Sequence, residues 1–209
     1  MLVNPLQQAV MAARIASGKI LQPRLLLDPR VPDWPSLGFS QEHLDYVHKA
    51  MSDVVNGPGT AGRARLPIDG TLMAGKTGTA QVVSLSISNG KSGPWKYRDH
   101  GLFIFFAPYD NPRYAGAVVI EHGGGSGSAY PIARDVMTFL FDPAKGMEAL
   151  TALEAGWGGT AQQRLDAIGQ DNHAELPVGL GLEPSDGLPG DTLRWIEPED
   201  RRDDSQPRT

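Results

Sequence analysis

Two short apolar runs set the limits on how this chain can fold. Leu102 to Ala107 and Tyr114 to Ile120 flank Tyr109-Asp110-Asn111-Pro112, a cluster of turn formers. The longest apolar stretches, Leu102 to Pro108 and Ala115 to Ile120, fall far short of the roughly 20 residues a membrane-spanning helix needs. The pattern predicts an antiparallel hairpin with well buried strands. Upstream, Leu72 to Ser88 is rich in Val, Thr, Ser and Ile and reads as another strand, and Asn89 to Asp99 reads as a polar loop. Downstream comes Gly123-Gly124-Gly125-Ser126-Gly127. Ser128 is then expected to cap a helix whose Ala129, Ile132, Ala133, Val136, Met137, Leu140 and Phe141 recur at intervals of three and four.

The flanks add helices. Asn4-Pro5 is an N-cap followed by Pro at the first helical position, and Leu6, Ala9, Val10 and Ala13 share one face before a stop at Gly18. A Pro-rich connection covers residues 22–39. Ser40 caps a second expected helix, with Leu44, Val47, Met51 and Val54 inward and Asn56-Gly57-Pro58 as its break. Residues 144–155 allow one more short helix through Met147, Leu150 and Leu153. No internal repeat is visible.

Composition narrows the classes. The chain has no Cys, which removes disulfide scaffolds, thiolate zinc sites and cysteine nucleophiles. Its 25 Gly and 17 Pro follow no Gly-X-Y period. The net charge of -5 is uneven: 13 Lys/Arg face 10 Asp/Glu over residues 1–141, and 6 face 14 over residues 142–209. The first part is mildly basic, too weakly for nucleic acid, and the last is acidic. Residues 170–209 are poor in apolar side chains and are expected to be a disordered, solvating tail. The start, Met1-Leu2-Val3-Asn4-Pro5, lacks the basic and apolar regions of a signal peptide.

Chemistry concentrates at Gly70 to Ala80. Gly70, Gly75, Lys76 and Thr77 fit G-x-x-x-x-G-K-T, the phosphate-binding loop. That reading requires a helix opening at Lys76. Leu72 and Met73 are poor choices for an exposed anion nest, and Thr-Gly-Thr-Ala-Gln-Val-Val-Ser after Lys76 is strand-like. Lys76-Thr77-Gly78 is also the Lys-Thr-Gly element of penicillin-recognising serine enzymes. On an edge strand the ammonium supplies positive potential, and Thr hydroxyls can hydrogen-bond a carboxylate. A residue without Cβ lets a substrate backbone approach, and a following N–H can face an oxyanion. The tripeptide alone also suits an ordinary edge-strand lysine.

The neighbourhood decides between these. Val3-Asn-Pro-Leu-Gln-Gln8, Gly75-Lys-Thr-Gly-Thr-Ala-Gln-Val82, Arg98-Asp99-His100, Phe106-Ala-Pro-Tyr-Asp-Asn-Pro112 and Glu121-His-Gly-Gly-Gly125 occur in this order. Together they closely resemble the C-terminal part of the penicillin-binding protein 2 family, the class B, elongation-type peptidoglycan D,D-transpeptidases. The resemblance covers residues 2–141. It implies an α+β fold, part of the β-lactamase/transpeptidase-like architecture, with antiparallel strands packed against helices over residues 1–141; residues 142–209, where the resemblance fades, are expected from composition to be an acidic, mostly disordered tail.

It also implies the roles. Lys76, Thr77 and Gly78 carry over as the third catalytic element. Thr79 supplies the oxyanion N–H, and the Thr77 and Thr79 hydroxyls hold the carboxylate of a stem peptide or β-lactam. Asp99 and His100, with Arg98, lie near the end of the groove and are expected to shape it, against the plainer reading of a surface salt bridge and a strand-start hydrogen bond. No cofactor is implied. His122 beside its glycines has no second metal ligand at useful spacing. The implied partners are peptidoglycan stem peptides, β-lactams, the other half of the domain and an elongation-complex glycosyltransferase. The implied place is the inner membrane, facing the periplasm.

The family's serine nucleophile lies in Ser-x-x-Lys, followed by Ser-x-Asn and then Lys-Thr-Gly. This sequence contains no Ser-x-Asn. Ser88-Asn-Gly-Lys91 matches Ser-x-x-Lys, but it follows Lys-Thr-Gly, and Asn89-Gly90 would break the helix that must present it. Tyr109-Asp-Asn111 imitates a Tyr-x-Asn variant at the wrong place. The chain is therefore expected to be a fragment that is inactive alone and exposes core surface, with poor solubility. The rival readings are a nucleotide-binding protein, separated by a helix at Lys76, and a non-catalytic interaction fragment.

Overall fold

In a computed structural model of the chain, residues 3–26, 30, 32–87 and 89–171 are described. The chain divides into two units, Met1–Arg164 and Leu165–Thr209. The order is α1 (Pro5–Ser17), α2 (Gln41–Asn56), β1 (Ala74–Ala80), β2 (His100–Ala107), β3 (Tyr114–Ile120), α3 (Tyr130–Phe141), α4 (Pro143–Gly156) and α5 (Ala161–Asp171). Single 3-10 turns occupy Gly62–Ala64, Trp95–Tyr97 and Ser126–Ser128. The three strands form one antiparallel sheet in the order β1-β2-β3.

The hairpin forms as the apolar runs require. Phe103 lies opposite Val118, and the connection closes where Arg113 N–H donates to the Ala107 carbonyl. Alternation along β2 sends Phe103, Phe105 and Ala107 to one face and Ile104 and Phe106 to the other. The first set joins Met73, Val55, Ala61, Ala64, Tyr130, Ala133 and Met137 in the larger core cluster. Phe106 packs with Met51 and Ala74, flanked by Ile15, Ala16 and Ala115. Helix α3 covers the first face, α1 lies on β3 and β2, and α2 sits against β1.

Local chemistry explains the helix ends. Asn4 accepts from the Gln7 N–H, and the Gln7 side chain accepts from the Asn4 N–H, a closed capping box before Pro5. Gly18 ends α1 in the left-handed conformation at φ 66°. Ser40 accepts from the His43 N–H. His48 Nε2 donates to the Ile15 carbonyl at 2.8 Å and its ring lies against Phe106, fastening α2 to α1.

Several expectations need correction. The strand expected over residues 72–88 is confined to Ala74–Ala80, because Val82 N–H turns away to the Asp99 carboxylate and Ile87 N–H closes a turn on Ser84. Helix α1 buries Gln8 and Ala12 and leaves Leu6 58% exposed. Small residues let the helix lie close to the sheet, which rotates Leu6 and Val10 onto a groove shared with Met11, Leu37 and Phe39. In α2 the buried residues are Met51, Ser52 and Val55, so Val47 points outward. In α3 they are Tyr130, Ala133, Met137 and Thr138, and Ile132, Val136 and Leu140 line a second groove with Met147, Leu150 and Leu153 of α4. Ser128 does not cap α3. It ends a 3-10 turn, with its hydroxyl donating to Gly125 O at 2.8 Å. Helix α5 was not anticipated and takes in residues 170 and 171 of the expected tail; residues 172–209 lie outside the described residues, as does Ser88. Among the described residues no helix is long and apolar enough to cross a membrane.

Candidate active site

Lys76, Thr77, Gly78 and Thr79 occupy the middle and end of β1, which pairs with β2 along one side only among the described residues. They lie opposite Ile104, Phe103, Leu102 and Gly101 in turn. Lys76 therefore extends the strand; no helix opens there, and the nucleotide-loop reading fails on that point. Alternation places Gly75, Thr77 and Thr79 on the face of Phe103 and Gly101, with Lys76 and Gly78 on the other. Gly75 has no alternative, since a Cβ would run into the Phe103 ring.

The Lys76 ammonium is exposed and donates to the Thr77 carbonyl at 2.8 Å, with no ion pair among the described residues. The Thr77 and Thr60 hydroxyl oxygens are 3.0 Å apart. Thr79 faces the glycine run: a Cβ on Gly125, whose φ is 140°, would lie 3.8 Å from Thr79 Oγ1. The Thr77 and Thr79 hydroxyls thus stand on one face of the strand, an arrangement suited to hydrogen-bonding a carboxylate, with the Lys76 ammonium on the other face beside the Thr77 carbonyl.

Asp99 and His100 tie together the segments that follow β1 and precede β2. Asp99 is buried; its Oδ1 accepts from Val82 N–H at 3.1 Å, its N–H donates to Gly90 O at 2.8 Å, and its carbonyl accepts from Gly124 N–H at 2.9 Å. One residue ties the loop after β1, the loop before β2 and the glycine run. His100 Nδ1 accepts from His122 N–H at 2.9 Å, and His122 Nδ1 donates to Arg98 O at 3.0 Å. His122 sits at φ 54°, flanked by the Trp95 and His100 rings. Arg98 donates from Nε to Gly93 O and forms no salt bridge among the described residues. His100 thus makes the strand-start hydrogen bond.

Gly101 brings the glycine run against the sheet. A Cβ there would collide with Gly125 O and come within 2.5 Å of Ser128 Oγ. Relief would break the Gly124–Asp99 and Ser128–Gly125 hydrogen bonds. Gly101→Ala is expected to destabilise the full chain by about 1–3 kcal/mol, measured by urea denaturation. An unchanged midpoint would show that the run is not seated on β2.

Residues 1–138 match the penicillin binding protein transpeptidase domain. The chain belongs to this family. It is 35% identical over 158 residues to the peptidoglycan D,D-transpeptidase MrdA of Salmonella typhimurium, covering 68% of this chain and 25% of that relative. The penicillin-binding protein PBP2 of Helicobacter pylori superposes with a TM-score of 0.53 at 27% identity, over 67% of this chain and 24% of that one. The same protein in its complex with MreC gives 0.51 at 28% identity, over 63% and 23%. The chain thus spans about a quarter of the length of the relatives it matches. Membership of the transpeptidase family accounts for the α+β architecture.

Sequence reasoning missed Thr60 and Arg65. Gly57-Pro58-Gly59 signals a break, and nothing in it announces that the next side chain will meet Thr77. The Arg65 guanidinium donates to the carbonyls of Val55, Asn56 and Gly57, closing the C-terminal end of α2.

Proposed function

We propose that this chain supplies the Lys-Thr-Gly wall of a serine-type peptidoglycan D,D-transpeptidase that cross-links stem peptides during cell elongation, at the inner membrane facing the periplasm. What supports this is that Lys76, Thr77, Gly78 and Thr79 lie on β1, a strand paired along one edge only among the described residues. The Thr77 and Thr79 hydroxyls hold the carboxylate of the donor peptide or of a β-lactam. Gly78 leaves room for the peptide backbone, and the Thr79 N–H faces the oxyanion as the tetrahedral intermediate forms. Lys76 raises the local positive potential and tunes the proton relay. Asp99 and His100 act indirectly, by fixing the end of the groove.

The nucleophile and its base belong to the Ser-x-x-Lys segment of the domain, which is the first partner of this chain; the others are stem peptides and an elongation-complex glycosyltransferase. Residues 1–141 form the C-terminal part of the transpeptidase domain, and residues 142–209 an acidic extension of it. Covalent catalysis requires an activated hydroxyl, so this chain incubated with a fluorescent penicillin should give no covalent band. A chimera in which it replaces the matching quarter of the Salmonella typhimurium relative should be labelled at the relative's serine. Labelling of the chain alone at any serine, or a folded chimera that stays unlabelled, would overturn the proposal.

A further inference from the structure

Thr60 stands outside every motif, on the connection between α2 and β1, yet its hydroxyl oxygen lies 3.0 Å from that of Thr77. The loop that presents it is held at several points. Ala61 is fully buried, and its N–H donates to Val54 O at 2.9 Å. Gly59 lies so close to Val54 that a Cβ would strike its backbone. Arg65 grips the three carbonyls before the loop. Asn56 Nδ2 donates to Met73 O at 2.9 Å, fastening the end of α2 to the residue preceding β1. Thr60 thus has a fixed position beside the strand.

We propose that Thr60 is a positioning residue for Thr77. This rests on the reading above, in which Thr77 holds a substrate carboxylate. A threonine hydroxyl has one proton to donate and two lone pairs. If Thr77 gives its proton to a carboxylate, its oxygen is free to accept, and Thr60 is the hydroxyl within reach to donate to it. That donation fixes the Thr77 rotor with its proton directed away from Thr60, and it polarises the bond to the anion. The pair is built for an anionic acceptor; a terminal carboxamide, which offers a weaker acceptor, gains less from it.

The test uses the full chain, 15N-labelled and titrated with an N-acylated D-Ala-D-Ala peptide and with the same peptide ending in a carboxamide. The Thr79 amide signal reports binding. Thr60→Val keeps the branched shape and removes the hydroxyl, and should weaken carboxylate binding about fivefold, the worth of one neutral hydrogen bond. Carboxamide binding should weaken clearly less than carboxylate binding, the thermal midpoint should stay unchanged, and Thr60→Ser should restore affinity. Thr77→Val should cost at least as much as Thr60→Val. Equal weakening of both peptides by Thr60→Val, or loss with Thr77→Val but not with Thr60→Val, overturns the role of Thr60 alone. A Thr79 signal that moves with neither peptide, or is indifferent to Thr77→Val, removes the carboxylate site and this inference with it.

Discussion

Lys76→Ala should lower the rate of penicillin acylation of the chimera by about a hundredfold, the scale on which positioned electrostatic groups act on a developing anion. Thermal stability should not move. The ammonium is exposed, and among the described residues its hydrogen bond is to the neighbouring Thr77 carbonyl, so folding takes little from it. This separation makes the prediction sharp: a stopped-flow acylation rate and a melting curve on the same two proteins should disagree. A parallel fall in both would mean that Lys76 holds the strand in place. An unchanged acylation rate would remove it from the catalytic wall.

Phe103→Ala should have the opposite signature, a loss of about 3–5 kcal/mol in the stability of the full chain. Phe103 is 0% exposed, lies opposite Thr77 in β1 and Val118 in β3, and stacks on Phe105 at 5.9 Å. Its ring fills the space over Gly75, where no side chain could expand to replace it. Tyr130 meets it edge-on at 6.1 Å from α3. Truncation leaves a void between the strand that carries the site and the helix behind it, and packed interiors relax only partly around such voids. Urea denaturation should show a lower midpoint with an unchanged slope. A loss below about 1 kcal/mol, less than a large-to-small change in a packed core costs, would mean that α3 closes onto the sheet without the ring.

Much of this was legible because it is written locally. The hairpin follows from two apolar runs and the turn residues between them, and α1 from Asn4, Pro5 and Gly18, each of which acts within one turn of its own position. The Lys-Thr-Gly element was equally plain, since its order among four other motifs outweighs chance. Packing faces were harder to read. Leu6 and Val10 share a helical face with core-like periodicity, but α1 lays Gln8 and Ala12 on the sheet, since periodicity identifies an apolar stripe without saying which neighbour will cover it.

The ordered motifs were enough, from the sequence alone, to place this chain in the transpeptidase family. The tertiary structure decided which groups surround β1. Thr60 reaches Thr77 across 17 positions of sequence, and His122 N–H reaches His100 across 22. Asp99 gathers three segments through Val82, Gly90 and Gly124. Such contacts depend on how α2, β1 and the glycine run are brought together by burying Phe103 and its neighbours, a long-range packing outcome that no local pattern encodes.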